Sequence, residues 1–158
     1  MVDAHNQVFF GKNTGLFIQT SSKTGPYMFL RCIKIKPDGS WEKPSKNEGK
    51  TIKVGLEEIV MILQVLTRKS ESWKTVNIFK DNKTPILFQW NQYTLWINIG
   101  EYRKKLLYPQ VEISRLLLQH ILQEKIEFAT IKARQNENTI PSFSELNNIE
   151  VVEEREGF

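Results

Sequence analysis

The stretch that decides the fold is residues 29–66, FLRCIKIKPDGSWEKPSKNEGKTIKVGLEEIVMILQVL. Its first eight residues alternate between two sides of a chain, which is typical of a strand with one solvated face. One side carries Phe29, Arg31, Ile33 and Ile35, and the other carries Leu30, Cys32, Lys34 and Lys36. Pro37-Asp38-Gly39 then predicts a turn, because proline presets the dihedral and glycine tolerates positive φ. A second short strand is predicted at 51–54 and a buried helix at 56–67.

The run 37–66, PDGSWEKPSKNEGKTIKVGLEEIVMILQVL, resembles the transcriptional positive cofactor family in its order of turn, Lys-Pro loop, Lys-Gly-rich return strand and helix. The wider relatives of that family share a whirly-like topology and include the Pur repeats and the archaeal ThermoDBP proteins. The resemblance implies a curved sheet that binds single-stranded DNA. It also implies that Lys43, Lys50 and Lys53 face the nucleic acid, since the family has basic residues at those positions. This chain departs from the family in continuing for about ninety residues after the helix and in having Trp41 and an extra residue before Lys43-Pro44.

The rest of the chain predicts a second unit with the same plan. A hairpin is expected within 9–20, and further strands are expected at 75–80, 86–90, 93–99 and 102–107. A helix that starts at Pro109 is expected over 110–127. We therefore predict an α+β fold of antiparallel curved β-sheets with two long apolar helices packed on one side and a whirly-like topology. Because the chain then consists of two β-rich units that each end in a helix, an internal duplication is possible.

Charge divides the chain into a basic body and an acidic end. The net charge is +4, but residues 137–158 hold six glutamates and one arginine, which leaves +9 for residues 1–136. A basic body favours a polyanionic partner, although lysine-rich surfaces also serve solubility or heat tolerance. We predict a domain over 1–131 and a flexible acidic tail over 132–158.

The composition argues for a protein of a reducing compartment. The single cysteine excludes an internal disulfide, and there is no leader or apolar run near the roughly twenty residues of a membrane span. We expect a cytoplasmic protein without a membrane partner.

Catalytic and metal-binding patterns are not evident in the sequence. His5 lies in a terminal arm and His120 in an apolar helix, so no nucleophile–histidine arrangement is indicated. His120 and Glu124 are one helical turn apart, which is compatible with two metal ligands, but the sequence indicates no third. The prediction is a non-enzyme with no cofactor and no metal site.

Aromatic residues interleaved with basic residues give the stronger pattern, because unpaired bases stack on rings while lysine and arginine neutralise phosphates. In 93–99 the alternation predicts that Tyr93, Leu95, Ile97 and Ile99 face the core and that Trp96 faces outward. The predicted nucleic-acid-binding residues are Arg31, Lys34, Lys36, Trp41, Lys43, Lys46, Lys50, Lys53, Trp90, Trp96, Tyr102, Arg103, Lys104 and Lys105.

The terminal run 150–158, EVVEEREGF, is similar to the acidic tails of bacterial and phage single-strand binding proteins, which recruit partners and compete with DNA. The resemblance implies that Glu153, Glu154, Glu156 and Phe158 bind protein partners; a solvating end is the alternative.

We predict a sequence-independent single-stranded DNA-binding protein that forms a homodimer through its broad apolar helices. The alternatives are an RNA-binding or transcription-cofactor module and a protein-interaction scaffold.

Overall fold

The computed structural model describes residues 4–130, which form eight strands and two α-helices. The strands are β1 (His5–Phe10), β2 (Thr14–Thr20), β3 (Tyr27–Lys34), β4 (Lys50–Gly55), β5 (Ser72–Phe79), β6 (Asn82–Asn91), β7 (Thr94–Ile99) and β8 (Tyr102–Leu106). The helices are α1 (Leu56–Leu66) and α2 (Tyr108–Glu124). A short 3-10 turn (Pro44–Lys46) precedes β4, and a π-helical turn (Lys125–Ala129) follows α2.

The strands form two antiparallel four-stranded sheets, ordered β1-β2-β3-β4 and β5-β6-β7-β8. Each sheet is followed by a helix, so the two halves share one order of elements. The predicted α+β class and antiparallel pairing are confirmed. The helices are unequal, since α1 has 11 residues and α2 has 17. The shorter helix ends where Arg68 takes a left-handed φ of 60° and its N–H donates to the Val65 carbonyl.

One continuous apolar core joins both sheets and both helices. The first sheet contributes Leu16 and Leu30, the second contributes Phe88 and Leu95, and α1 contributes Ile59. Helix α1 packs against α2 as well as against β4, β5 and β6. Those neighbours cover Ile59, Ile62, Val65 and Leu66, whereas Val60 and Met61 remain exposed.

The connection from β3 to β4 is anchored to the first sheet. Strand β3 ends at Lys34, two residues earlier than predicted, and Ile35 pairs only with Trp41. Asp38 accepts hydrogen bonds from the backbone N–H and the hydroxyl of Ser40. At the start of β4, Gly49 has a φ of +87°, and a Cβ there would lie 2.8 Å from the Cys32 carbonyl oxygen. Glycine is therefore required for the two strands to approach this closely.

No helix within residues 4–130 has the length and apolarity needed to cross a lipid bilayer. The predicted tail, with Glu153, Glu154, Glu156 and Phe158, lies outside the described residues.

Candidate nucleic-acid interface

The first sheet turns an aromatic surface away from the core. The solvated side of an antiparallel sheet is usually polar. Here the outward positions of β1, β2 and β3 carry four rings, and the loop after β3 adds a tryptophan. We call this surface the aromatic face, and it consists of Phe10, Phe17, Tyr27, Phe29, Arg31, Trp41, Thr51 and Lys53.

Three rings meet at one end of the aromatic face. The Phe10 ring makes edge contacts with Phe17 at 5.9 Å and with Trp41 at 5.2 Å between ring centroids. Phe10 is 55% exposed. Its ring lies over Gly15, where an added Cβ would come within 3.0 Å of two ring carbons. Because Gly15 has no Cβ, the Phe10 ring has room to lie over it and to contact both Phe17 and Trp41.

Two rings and a lysine occupy the other end. Tyr27 and Phe29 are in edge contact at 5.4 Å, and the Lys53 ammonium lies 4.1 Å from the centre of the Tyr27 ring. Lys53 is also the cross-strand partner of Phe29. This arrangement presents a ring and a positive charge side by side.

Arg31 lies between the two groups of rings. Its cross-strand partners are Phe17 and Thr51, and its Nε donates a 3.0 Å hydrogen bond to the Thr51 hydroxyl. Neither Arg31 nor Lys53 forms an ion pair with another residue in 4–130. Both charges are therefore available to an anionic ligand.

A cleft of about 640 Å³ extends the aromatic face toward the second sheet. Tyr27, Phe29 and Lys53 line one side, and Ile78 and Phe79 at the end of β5 line the other. Phe79 is 65% exposed. The Asn77 side-chain amide donates a 3.1 Å hydrogen bond to the Lys53 carbonyl and joins the two sheets beneath the cleft. The volume lies in the range of roughly 300–1,000 Å³ that is typical of small-molecule sites, so it can hold a nucleobase.

The second sheet has a smaller outward site around Trp96. The Arg103 guanidinium lies 4.1 Å from the centre of the Trp96 ring, and Lys105 is the cross-strand partner of Trp96. With the β1–β2 turn, residues 11–14, these side chains line a groove of about 290 Å³. We call it the Trp96 groove.

The architecture has a counterpart among solved structures. The chain shares its fold with Trypanosoma brucei MRP1/MRP2. That crystal structure matches with a TM-score of 0.58 and 14% sequence identity, over 82% of this chain and 89% of the other. At this identity the likeness concerns the fold alone. Scans of the chain against protein-family models and against curated proteins give no match.

The structure brings seven of the predicted residues into these surfaces. Arg31, Trp41 and Lys53 belong to the aromatic face, while the Trp96 groove is lined by Trp96, Arg103, Lys104 and Lys105. The prediction that the alternation of β7 turns Trp96 away from the core is confirmed by the burial of Leu95, Ile97 and Ile99. The prediction is wrong for Tyr93, which is 85% exposed because it lies in the turn before β7 rather than in the strand.

The other predicted lysines of the first half surround the β3–β4 connection. Lys43 and Lys46 are exposed, and Lys50 is half-buried at the start of β4. The Lys34 Nζ atom lies 3.8 Å from the Glu101 Oε2 atom, and the Lys36 Nζ atom lies 2.8 Å from the Glu48 Oε2 atom. The hydrogen bond that Lys36 donates to the Glu48 carboxylate raises the pKa of Lys36. These two lysines already have carboxylate partners.

Three predicted residues point inward. Lys104 is 6% exposed because the alternation of β8 places it on the same side as Leu106, and this burial lowers its pKa. Burial also raises the pKa of Tyr102, whose hydroxyl donates a 2.9 Å hydrogen bond to Glu42. The Trp90 indole N–H donates to the Val65 carbonyl at the end of α1. Tyr102 and Trp90 therefore present no ring on either outward surface, whereas Lys104, although it is buried, reaches the lining of the Trp96 groove.

Sequence reasoning left five rings out of the predicted site: Phe10, Phe17, Tyr27, Phe29 and Phe79. The alternation in β3 had already placed Phe29 on the same side as Arg31, so that ring could have been found. Phe17 could not, because its position beside Arg31 depends on the pairing register of β2 with β3.

Proposed function

We propose that the chain is a non-enzymatic, whirly-like protein that binds single-stranded DNA with little dependence on base sequence. The observation that carries the proposal is the aromatic face, where five rings lie on the solvent side of a sheet beside two cations without an ion-pair partner in 4–130. Exposed rings and basic side chains on one surface are the combination that single-strand binding requires.

The register of the sheet gives the rings a useful spacing. Phe17 lies opposite Arg31, and Phe29 is two residues along β3 from Arg31. Diagonal positions of this kind are about 7–8 Å apart, so the two rings can stack on different bases. Each stacked base contributes about 1–3 kcal/mol, and Arg31 between them can neutralise a phosphate. A duplex conceals its base faces, which predicts preference for single strands without base readout.

The cleft and the Trp96 groove would extend the path of the strand. The cleft continues the aromatic face past Lys53 to Phe79. On the second sheet, Arg103 and Lys105 add two positive charges beside a further ring. Every phosphate neutralised makes affinity more dependent on salt.

We further propose that the chain forms a homodimer through its helices. Val60 and Met61 of α1 and Ile113 and Leu116 of α2 are apolar and exposed. Leu116→Lys should shift the sedimentation equilibrium toward monomer. A wild-type chain that stays monomeric at all accessible concentrations would exclude the dimer and leave the binding proposal untouched.

The binding proposal is tested by titrating the full chain with an oligothymidine longer than the roughly 4–16 nucleotides typical of single-strand sites. Duplex DNA and an RNA of matching sequence are the competitors. Quenching of tryptophan fluorescence should accompany binding and should weaken in Trp41→Phe and Trp96→Phe. Tight binding of duplex but not of single strands would contradict the proposal. A strong RNA preference would favour the RNA-binding alternative, and no binding at low salt would favour the protein scaffold.

A further inference from the structure

A histidine from the first strand lies beside the histidine–glutamate pair of α2. The His5 Nε2 atom is 2.8 Å from one carboxylate oxygen of Glu124, and the His120 Nε2 atom is 3.4 Å from the other. One potential ligand atom from each of these three side chains lies within 4.8 Å of the other two. Two imidazoles and one carboxylate therefore converge, although His5 and Glu124 are 119 positions apart in the chain.

The backbone holds the three side chains in place. His120 and Glu124 are four positions apart, so both project from one face of α2. His5 is fixed by the pairing of β1 with β2, and its backbone N–H donates a 2.9 Å hydrogen bond to the Thr20 hydroxyl. The ammonium of the adjacent Lys125 is directed to the Ser22 carbonyl. The cluster is thus assembled by a strand and a helix rather than by loops.

The donor set and its spacing suit a zinc ion. Zinc binds histidine nitrogen and carboxylate oxygen at roughly 2.0–2.2 Å, which places the ligand atoms of a tetrahedral site about 3.3–3.5 Å apart. The separations in the cluster bracket this value, so small side-chain rotations would create the site. The His120 side chain is 57% exposed, which gives an ion access from solvent and leaves room for a water as fourth ligand.

We propose that His5, His120 and Glu124 bind Zn²⁺ and that the ion ties β1 to α2. Strand β1 is one of the two edge strands of the first sheet and carries Phe10 of the aromatic face. Zinc would stabilise this edge because it binds the folded chain more tightly than the unfolded chain. The proposal stands on the cluster alone and does not depend on nucleic-acid binding.

The test is isothermal titration of the untagged full chain with ZnCl₂, followed by Co²⁺ absorption spectroscopy. We expect one saturable site per chain and the visible bands of low-coordinate Co²⁺. His120→Ala should weaken binding by more than about a hundredfold, because even outer-shell partners contribute 10–100-fold. Gln123→Ala changes an exposed neighbour on the same helix and should bind zinc like the wild type. At about 100 times the dissociation constant, zinc should raise the melting temperature by roughly 5–10 °C.

Glu124→Gln separates metal binding from hydrogen bonding, since glutamine can still bond to both histidines but is a poor zinc ligand. It should lose the zinc-dependent rise in melting temperature while keeping the melting temperature of the metal-free chain. The proposal would be overturned if the wild type shows no saturable zinc binding, or if His120→Ala and His5→Ala bind zinc as tightly as the wild type. Either result would identify the cluster as a hydrogen-bonded triad. Either outcome leaves the oligonucleotide titration to be judged separately.

Discussion

Replacing Phe29 with leucine should weaken single-strand binding without unfolding the protein. Leucine keeps an apolar side chain on the outward side of β3 but removes the planar ring. A lost stack of about 1–3 kcal/mol corresponds to roughly a 5- to 150-fold rise in the dissociation constant. The folded state loses the edge contact with Tyr27 at 5.4 Å, a cost of about 0.5–1.5 kcal/mol against a typical total of about 5–15 kcal/mol. Fluorescence anisotropy with a labelled oligothymidine gives the affinity, and urea denaturation gives the stability.

Phe17→Leu should have an effect of similar size, because Phe17 lies diagonally across from Phe29 and would stack on a different base. Tyr108→Leu is the matched control, since that ring is 71% exposed at the start of α2 and belongs to neither outward surface. If Phe29→Leu and Phe17→Leu both remain folded and bind within about twofold of wild type, the two rings do not stack on bases.

Four further changes test other parts of the account. Arg31→Gln should reduce the slope of log affinity against log salt by about 0.7, measured by titrations at several salt concentrations, whereas an unchanged slope would remove Arg31 from the phosphate contacts. Deleting residues 137–158, which carry a net charge of −5, should tighten binding at low salt in the same anisotropy assay if the acidic end competes with DNA. Trp90→Phe should lower the free energy of unfolding in urea by about 0.5–1.5 kcal/mol, because the Val65 carbonyl loses its indole donor but keeps the Arg68 N–H, and should leave oligonucleotide affinity unchanged. Burial raises the pKa of the Cys32 thiol from 9.0 to about 12. The unfolded chain therefore loses this proton at a lower pH than the folded chain, and the free energy of unfolding falls as pH rises above 9. Relative to Cys32→Ala, the wild-type free energy of unfolding should decline by up to about 1.4 kcal/mol per pH unit.

Which residues share a side of a strand could be predicted from sequence, because successive side chains of a strand point to opposite sides of the sheet. The alternation in 29–36 placed Leu30 and Cys32 on one side of the strand without deciding which side is the core, and both are buried. The alternation in 93–99 likewise predicted that Trp96 faces outward. The two-unit plan was predicted from the order of elements, since each apolar helix follows a run of strands separated by polar turns.

Contacts between distant strands could not be predicted, because no local pattern sets pairing register across a sheet. Phe10 contacts Trp41 only because β1 pairs with β2 and the β3–β4 loop starts at the same end of the sheet. His5 meets Glu124 for a similar reason, across 119 positions. The predicted basic triplet at 103–105 shows the same difficulty on a local scale, since strand alternation buries its central lysine.

Ultraviolet crosslinking of the full chain to an oligothymidine, with the crosslinked residues identified by mass spectrometry, tests the central claim most directly. Crosslinks should fall on the aromatic face, at Phe10, Phe17, Tyr27, Phe29 or Trp41, and should disappear when unlabelled single strands compete. Crosslinks confined to the helices, for example at Tyr108, or insensitive to competition would show that the outward rings of the first sheet do not bind nucleic acid.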